Sequence, residues 1–176
     1  MSSERLERLR ALVRDVPDFP RPGINFKDLT PLLADRHALT TCIDLFAERW
    51  VGEHLDAVVG IESRGFIFAA PLAVRLGAAF VPVRKPGKLP RATDRVTYAL
   101  EYGTDALEMH LDALRPGMRV LVADDVLATG GTAAAACELA RRQQALVVGA
   151  AFVVALRALR GVERLAGIPV QVLLEL

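Results

Sequence analysis

VLVADDVLATGGT, residues Val120 to Thr132, carries the pattern from which the fold is read. With Arg119 in front, its apolar start as far as Ala123 reads as a buried strand. Asp124 and Asp125 follow side by side, then a run of small residues containing Thr129, Gly130, Gly131 and Thr132. The segment GTAAAACELARRQQ continues as a helix, so the small-residue loop joins a strand to a helix. At such a junction, unpaired backbone N–H groups and the helix dipole favour an anion. Gly130 and Gly131 let the backbone close around a phosphate, and the two threonines add hydroxyl donors. The Gly-Lys-Ser/Thr ending of a Walker loop is absent, which argues against an ATPase or kinase. Charge repulsion keeps Asp124 and Asp125 off the same phosphate. They suit neighbouring hydroxyls, or water around a magnesium ion, in a ligand whose phosphate lies in the loop. A ribose 5-phosphate has both features.

Outward from this stretch the chain repeats strand-and-helix units. DAVVGI (Asp56–Ile61) reads as a buried strand, GFIFAAPLAVRLG (Gly65–Gly77) as a helix and AAFVPV (Ala78–Val83) as the next strand. ALVVGAAFVVAL (Ala145–Leu156) is a further strand, and VQVLLEL closes the chain. This rhythm predicts an α/β fold with a parallel sheet and ligands at the carboxyl ends of its strands. Upstream, Leu6, Leu9, Leu12 and Val13 recur at helical spacing, as do Leu39, Ile43, Phe46 and Trp50. Between them, PDFPRPG predicts an irregular extended segment. The rhythm breaks between Arg84 and His110. There Val96, Tyr98 and Leu100 alternate and are answered by Leu107 and Met109 across YGTD, which predicts a β-hairpin acting as a mobile lid.

Composition bounds the function. The 176 residues suit a single domain spanning 1–176. With 22 Lys and Arg against 21 Asp and Glu, the net charge of +1 predicts no general affinity for nucleic acid or for a membrane surface. Cys42 and Cys137 each sit in an apolar helical pattern and read as core thiols; His37, His54 and His110 make no metal-ligand spacing. Trp50, Met109 and Met118 read as core. The amphipathic N-terminus lacks an apolar signal core and no apolar stretch is long enough to span a bilayer, so the expectation is a soluble, cytoplasmic protein.

VLVADDVLATGGT resembles the phosphoribosyl pyrophosphate (PRPP) motif of type I phosphoribosyltransferases. PGINFKDLTPLL, GIESRGFIFAAPLA, VRKPGKLP and LEYGTDALEMHLDALRPG resemble the adenine phosphoribosyltransferase family in order and spacing, from about Asp18 to the C-terminus. The resemblance implies the type I fold with a hairpin lid and a short N-terminal hood. It also implies transfer of 5-phosphoribose from PRPP to adenine, giving AMP and pyrophosphate, with Mg2+. The metal would be held mainly through PRPP and water, near Asp124 and Asp125.

Carried onto this chain, the family pattern gives each segment a role. Asp124 and Asp125 would meet the ribose, and Ala128, Thr129, Gly130, Gly131 and Thr132 the 5′-phosphate. Ser63 and Arg64, in the ESRG turn, would meet pyrophosphate with Arg84, Lys85 and Lys88. Arg84 could serve its own site or a partner subunit's. A non-proline cis peptide between Glu62 and Ser63 is also implied. Phe26 offers a stacking face for a purine, the backbone of Asn25 and Lys27 would read its edge, and Val126 would cover its other side. The family more often has an aliphatic residue where Asn25 stands and Arg at Lys27. An Asn25 side chain aimed at the base would shift specificity, whereas main-chain contacts would leave it unchanged. Glu101 and Tyr102 match the catalytic Glu-Tyr pair, with Glu101 as acid/base on adenine N7 and Arg64 assisting departure of pyrophosphate. A homodimer is implied as the assembly. Two competing readings are a transferase for another base and a PRPP-sensing regulator of the same fold. The second needs a DNA-binding domain or a basic face that the chain lacks.

Overall fold

The apolar runs at Asp56, Ala78, Arg119 and Ala145 pair into one sheet because each is too short and too β-branched to bury itself as a helix. The computed structural model describes residues 2–99 and 104–176. Its first half runs α1 (Ser2–Ala11), β1 (Arg14–Pro17), β2 (Asn25–Asp28), α2 (Thr30–Ala34), α3 (Arg36–Trp50), β3 (Ala57–Ile61), α4 (Gly65–Leu76) and β4 (Ala79–Val83). Then come β5 (Thr93–Ala99), β6 (Thr104–His110), β7 (Arg119–Leu127), α5 (Gly131–Arg142), β8 (Leu146–Ala155) and β9 (Val170–Glu175). The central sheet has five parallel strands in the order β4-β3-β7-β8-β9. The α/β expectation holds.

Successive strand residues face opposite sides, and the core follows that alternation. Ala57, Val59 and Ile61 of β3, with Val120 and Val122 of β7, pack beneath α5 and the β5–β6 hairpin. Val58, Leu121 and Ala123 pack on the other face against α1, α3 and α4. On that second face Trp50 is 1% exposed, and its indole lies against Gly149 of β8, where any Cβ would overlap the ring. Asp35 starts α3 by accepting the N–H groups of His37 and Ala38 at 2.8 and 2.9 Å. Cys42 and Cys137 are core thiols as expected, and burial pushes them up to about 12 and about 11. Met109 is fully buried, but Met118 is only half-buried.

Three local differences from the sequence reading stand out. The PDFPRPG segment is the turn of an antiparallel hairpin, with Val16 opposite Phe26 and Pro17 opposite Asn25. Four-residue strands are too short to show alternation, so only the turn residues were visible. Strand β7 does not stop at Ala123 but runs to Leu127, with Asp124 opposite Phe152 and Val126 opposite Val154 of β8. Pairing with β8 carries it past the two charges. The β5–β6 hairpin is present, with Val96 opposite Leu107 and Asp94 opposite Met109. Its root is core: Ala106, Leu107 and Met109 are buried, with Val96 and Tyr98 packed against the same cluster. The tip at 100–103 lies outside the described residues.

Candidate active site

Strands β3 and β7 are neighbours, yet the chain leaves them toward opposite edges, to β4 from one and to β8 from the other. At such a switch point the two following loops part and leave a crevice at the carboxyl ends. Residues 62–65 enter it from β3, residues 84–88 from β4 and residues 124–132 from β7.

The glycine-rich loop after β7 is shaped by a contact that sequence reading missed. Gly130 has φ +81°, and a Cβ there would run into the carbonyl of Gly161; a Cβ on Gly161 would run into the carbonyl of Ala128. Two glycines therefore let the loop rest directly on the turn Gly161–Leu165. The result is a cavity of ≈ 70 Å3 lined by Asp124, Val126, Ala128, Thr129, Gly130 and Thr132 among others. Gly131 opens α5, and the Thr132 hydroxyl donates to the Tyr98 phenol at 3.2 Å. Only the distance in sequence between Gly130 and Gly161 hid that pairing.

The two acids do different things. Asp124 lines the cavity of the glycine-rich loop, and its Oδ1 accepts the N–H of Asp125 at 2.9 Å. Asp125 is 4% exposed and faces Arg64, whose Nε lies 2.8 Å from its Oδ2. Burial raises both carboxyls above the ordinary range. The neighbouring Asp125 charge adds to the rise at Asp124, while Arg64 opposes it at Asp125.

Arg64 also lies over the Phe26 ring, 5.3 Å from its centroid, and Phe19 meets the same ring edge-on at 5.2 Å. Val16, Phe19, Phe26 and Asp28 line a cavity of ≈ 260 Å3 on that face. Alternation along β2 sends Asn25 and Lys27 the other way. Lys27 pairs with Asp15, and its hydrogen bond, joined by one from Asn25, holds that carboxyl below its usual range. The two departures from the family pattern thus sit on the side of β2 away from Phe26. Phe19 was missed because an aromatic inside a Pro-rich turn gives no periodic signal.

The cations of the β4 loop are already engaged. Arg84 Nη2 and Lys88 Nζ lie 2.8 and 2.9 Å from Glu62 Oε1, and the Lys85 N–H donates to Glu62 Oε2 at 2.9 Å. Burial works against ionisation of Glu62, but Arg84, the Lys85 N–H and Lys88 outweigh it and hold the carboxyl at about 2. The Lys85 ammonium pairs with Asp105 and lies 3.4 Å from the Tyr98 hydroxyl. Its burial, which would lower the ammonium, is overcome by that carboxylate, so Lys85 is raised. Ser63 is exposed at the rim, and the Glu62–Ser63 peptide is cis, as the resemblance implied. Glu101 and Tyr102 lie outside the described residues.

Residues 32–166 match the phosphoribosyl transferase domain family. Over 160 residues the chain is 66% identical to the adenine phosphoribosyltransferase of Sorangium cellulosum, covering 91% of this chain and 80% of that protein. The chain belongs to the adenine phosphoribosyltransferase family. Solved family members agree with it in three dimensions. The Rhodothermus marinus adenine phosphoribosyltransferase superposes with a TM-score of 0.94 at 51% identity, covering 99% of both chains. The Saccharomyces cerevisiae member, complexed with adenine and an imino-altritol bisphosphate, gives 0.92 at 39% identity over 98% of this chain and 99% of that one. In this adenine phosphoribosyltransferase family member, Arg64 links the Phe26 ring to Asp125 of β7, and the cations Arg84 and Lys88 that follow β4 gather on Glu62, two residues before Arg64.

Proposed function

We infer that the protein is a purine salvage enzyme that transfers 5-phosphoribose from PRPP to adenine, releasing AMP and pyrophosphate. Adenine N9 forms a bond to C1′ of PRPP as the C1′–O bond to pyrophosphate breaks, through a state with oxocarbenium character, and the N9 proton leaves. The protein does little covalent work. It holds two substrates in line, stabilises the leaving anion and keeps water from C1′. The observation that supports this reading is Arg64, which joins the aromatic face of Phe26 to Asp125 of the strand leading into the glycine-rich loop cavity, beside a cationic loop, in a member of this family.

The proposed roles follow the geometry. Ala128 to Thr132 take the 5′-phosphate, and Asp124 and Asp125 the ribose hydroxyls or metal-bound water. Ser63, Arg64, Arg84, Lys85 and Lys88 take pyrophosphate. Phe26 stacks adenine while the backbone of Asn25 and Lys27 reads its edge and Val126 covers it. Glu101 and Tyr102 act on the base. Mg2+ is proposed as the cofactor, and the donor set suits it. No cluster of three acid, His or Cys ligands exists among the described residues, but one half-buried carboxylate, Asp124, stands beside the phosphate cavity. Mg2+ is commonly bound by one or two carboxylates plus substrate phosphates and water. When bound, it neutralises the leaving pyrophosphate.

A homodimer in the cytoplasm, acting as one domain over 1–176, completes the proposal. The two buried thiols suit a reducing compartment, and no helix among the described residues is long and apolar enough to cross a membrane. The function is tested by assaying adenine, hypoxanthine, guanine and orotate in parallel with PRPP. Turnover with adenine alone is expected, and turnover with an oxopurine but not adenine overturns it.

A further inference from the structure

The family pattern gives the Glu62 side chain no role of its own, and its surroundings are those of a bound anion. Its side chain is 8% exposed and collects a guanidinium, an ammonium and a backbone N–H. All three donors come from the β4 loop. Arg84 spends its second terminal nitrogen on the Lys88 carbonyl at 2.9 Å, and its buried Nε finds no acceptor among the described residues. The donors are thus drawn together around the two oxygens of one carboxylate, a donor set that two oxygens of a diphosphate could equally accept.

We propose that Glu62 is an internal competitor of pyrophosphate, occupying the Arg84, Lys85 and Lys88 donors in the free enzyme and reclaiming them as the product departs. The proposal rests on the reading of those three residues as the pyrophosphate site. Two anions cannot share one set of donors in a half-buried place, because the unpaired one repels the other at close range. PRPP must therefore displace Glu62 to bind its diphosphate end. Once the C1′–O bond has broken, the nearby carboxylate offers the cations a partner already attached, and this shortens the life of the product complex. A structural brace would act the other way, holding the cations where pyrophosphate needs them.

Glu62→Gln separates the two, since it keeps the shape and removes the charge. Binding of magnesium pyrophosphate is measured by calorimetry on the wild-type protein and the variant, with thermal unfolding to verify that both are folded. A competitor predicts about 10-fold tighter binding in Glu62→Gln, the scale of a lost charged hydrogen-bond partner, with lower KM for PRPP and lower kcat. Glu62→Asp, which retracts the carboxylate from Arg84, serves should the amide fail to fold, and is expected to tighten binding by a smaller factor. Unchanged or weaker binding in a folded variant overturns the proposal and leaves the brace. Arg84→Met and Lys88→Met in the wild-type background report on the underlying assignment. If neither weakens pyrophosphate binding, the site lies elsewhere and both readings fall.

Discussion

At Gly130 the backbone and its neighbour together leave no room for a side chain. A valine there would have to hold φ +81° with a branched Cβ and would strike the carbonyl of Gly161. Gly130→Val is expected to abolish PRPP binding by calorimetry while the Phe26 cavity, on a different element, still binds adenine. PRPP affinity left intact would remove the 5′-phosphate from this loop. Glu101 belongs to the same scale although it lies outside the described residues. Adenine grows more positive as N9 attacks, and a carboxylate at N7 would hold the reactive tautomer. Glu101→Leu should lower kcat by about 10²-fold or more, with a much smaller change in PRPP affinity. Near-normal turnover would send the proton to water instead. The residues legible in the sequence are those whose chemistry is local: acids, glycines and threonines in a fixed order along one loop. Gly161, Phe19 and Glu62 were not legible, since each acts through a partner brought close only by the fold.

The β5–β6 hairpin shows what alternation does and does not disclose. The pattern of Val96, Tyr98, Leu107 and Met109 identified paired strands, because side chains repeat every second residue. It missed their register: Thr104 and Asp105 of the expected YGTD turn belong to β6, opposite Ala99 and Tyr98. It did not disclose that the inner face is part of the main core beneath α5. A lid standing clear of the molecule would tolerate truncation of an apolar residue at its root. Leu107 is fully buried, so Leu107→Ala is expected to cost about 2–5 kcal/mol in urea unfolding. A loss below about 0.5 kcal/mol would mean that the root is peripheral. The short β1–β2 hairpin is the converse case. Its strands were hidden because four residues give periodicity too little length, while the prolines between them were conspicuous.

For the molecule as a whole, the parallel sheet and both cores were written in the apolar runs, whereas the stability consequences of the crevice were not. Asp124 has its carboxyl raised by burial and then by Asp125, so ionisation at neutral pH opposes folding. The sign follows: a raised group favours the fold fully only below its ordinary value of 3.8, and that contribution is lost as pH rises through its raised value. Asp124→Asn is therefore expected to raise the Tm of the ligand-free protein at pH 7, and the gain should shrink as the buffer is taken below pH 3.8. A lower Tm at pH 7 would show that the charge is better solvated than its surroundings suggest. The strand order has a further consequence, in time rather than in space. Val59 and Val122 are partners across the centre of the sheet, but all of β4 and the β5–β6 hairpin lie between them along the chain. A hairpin closes a small loop and forms early, whereas β3 and β7 must close a long one before any gain is returned. The crevice comes into existence only with that pairing, so a refolding chain is expected to regain ligand binding no earlier than its parallel sheet.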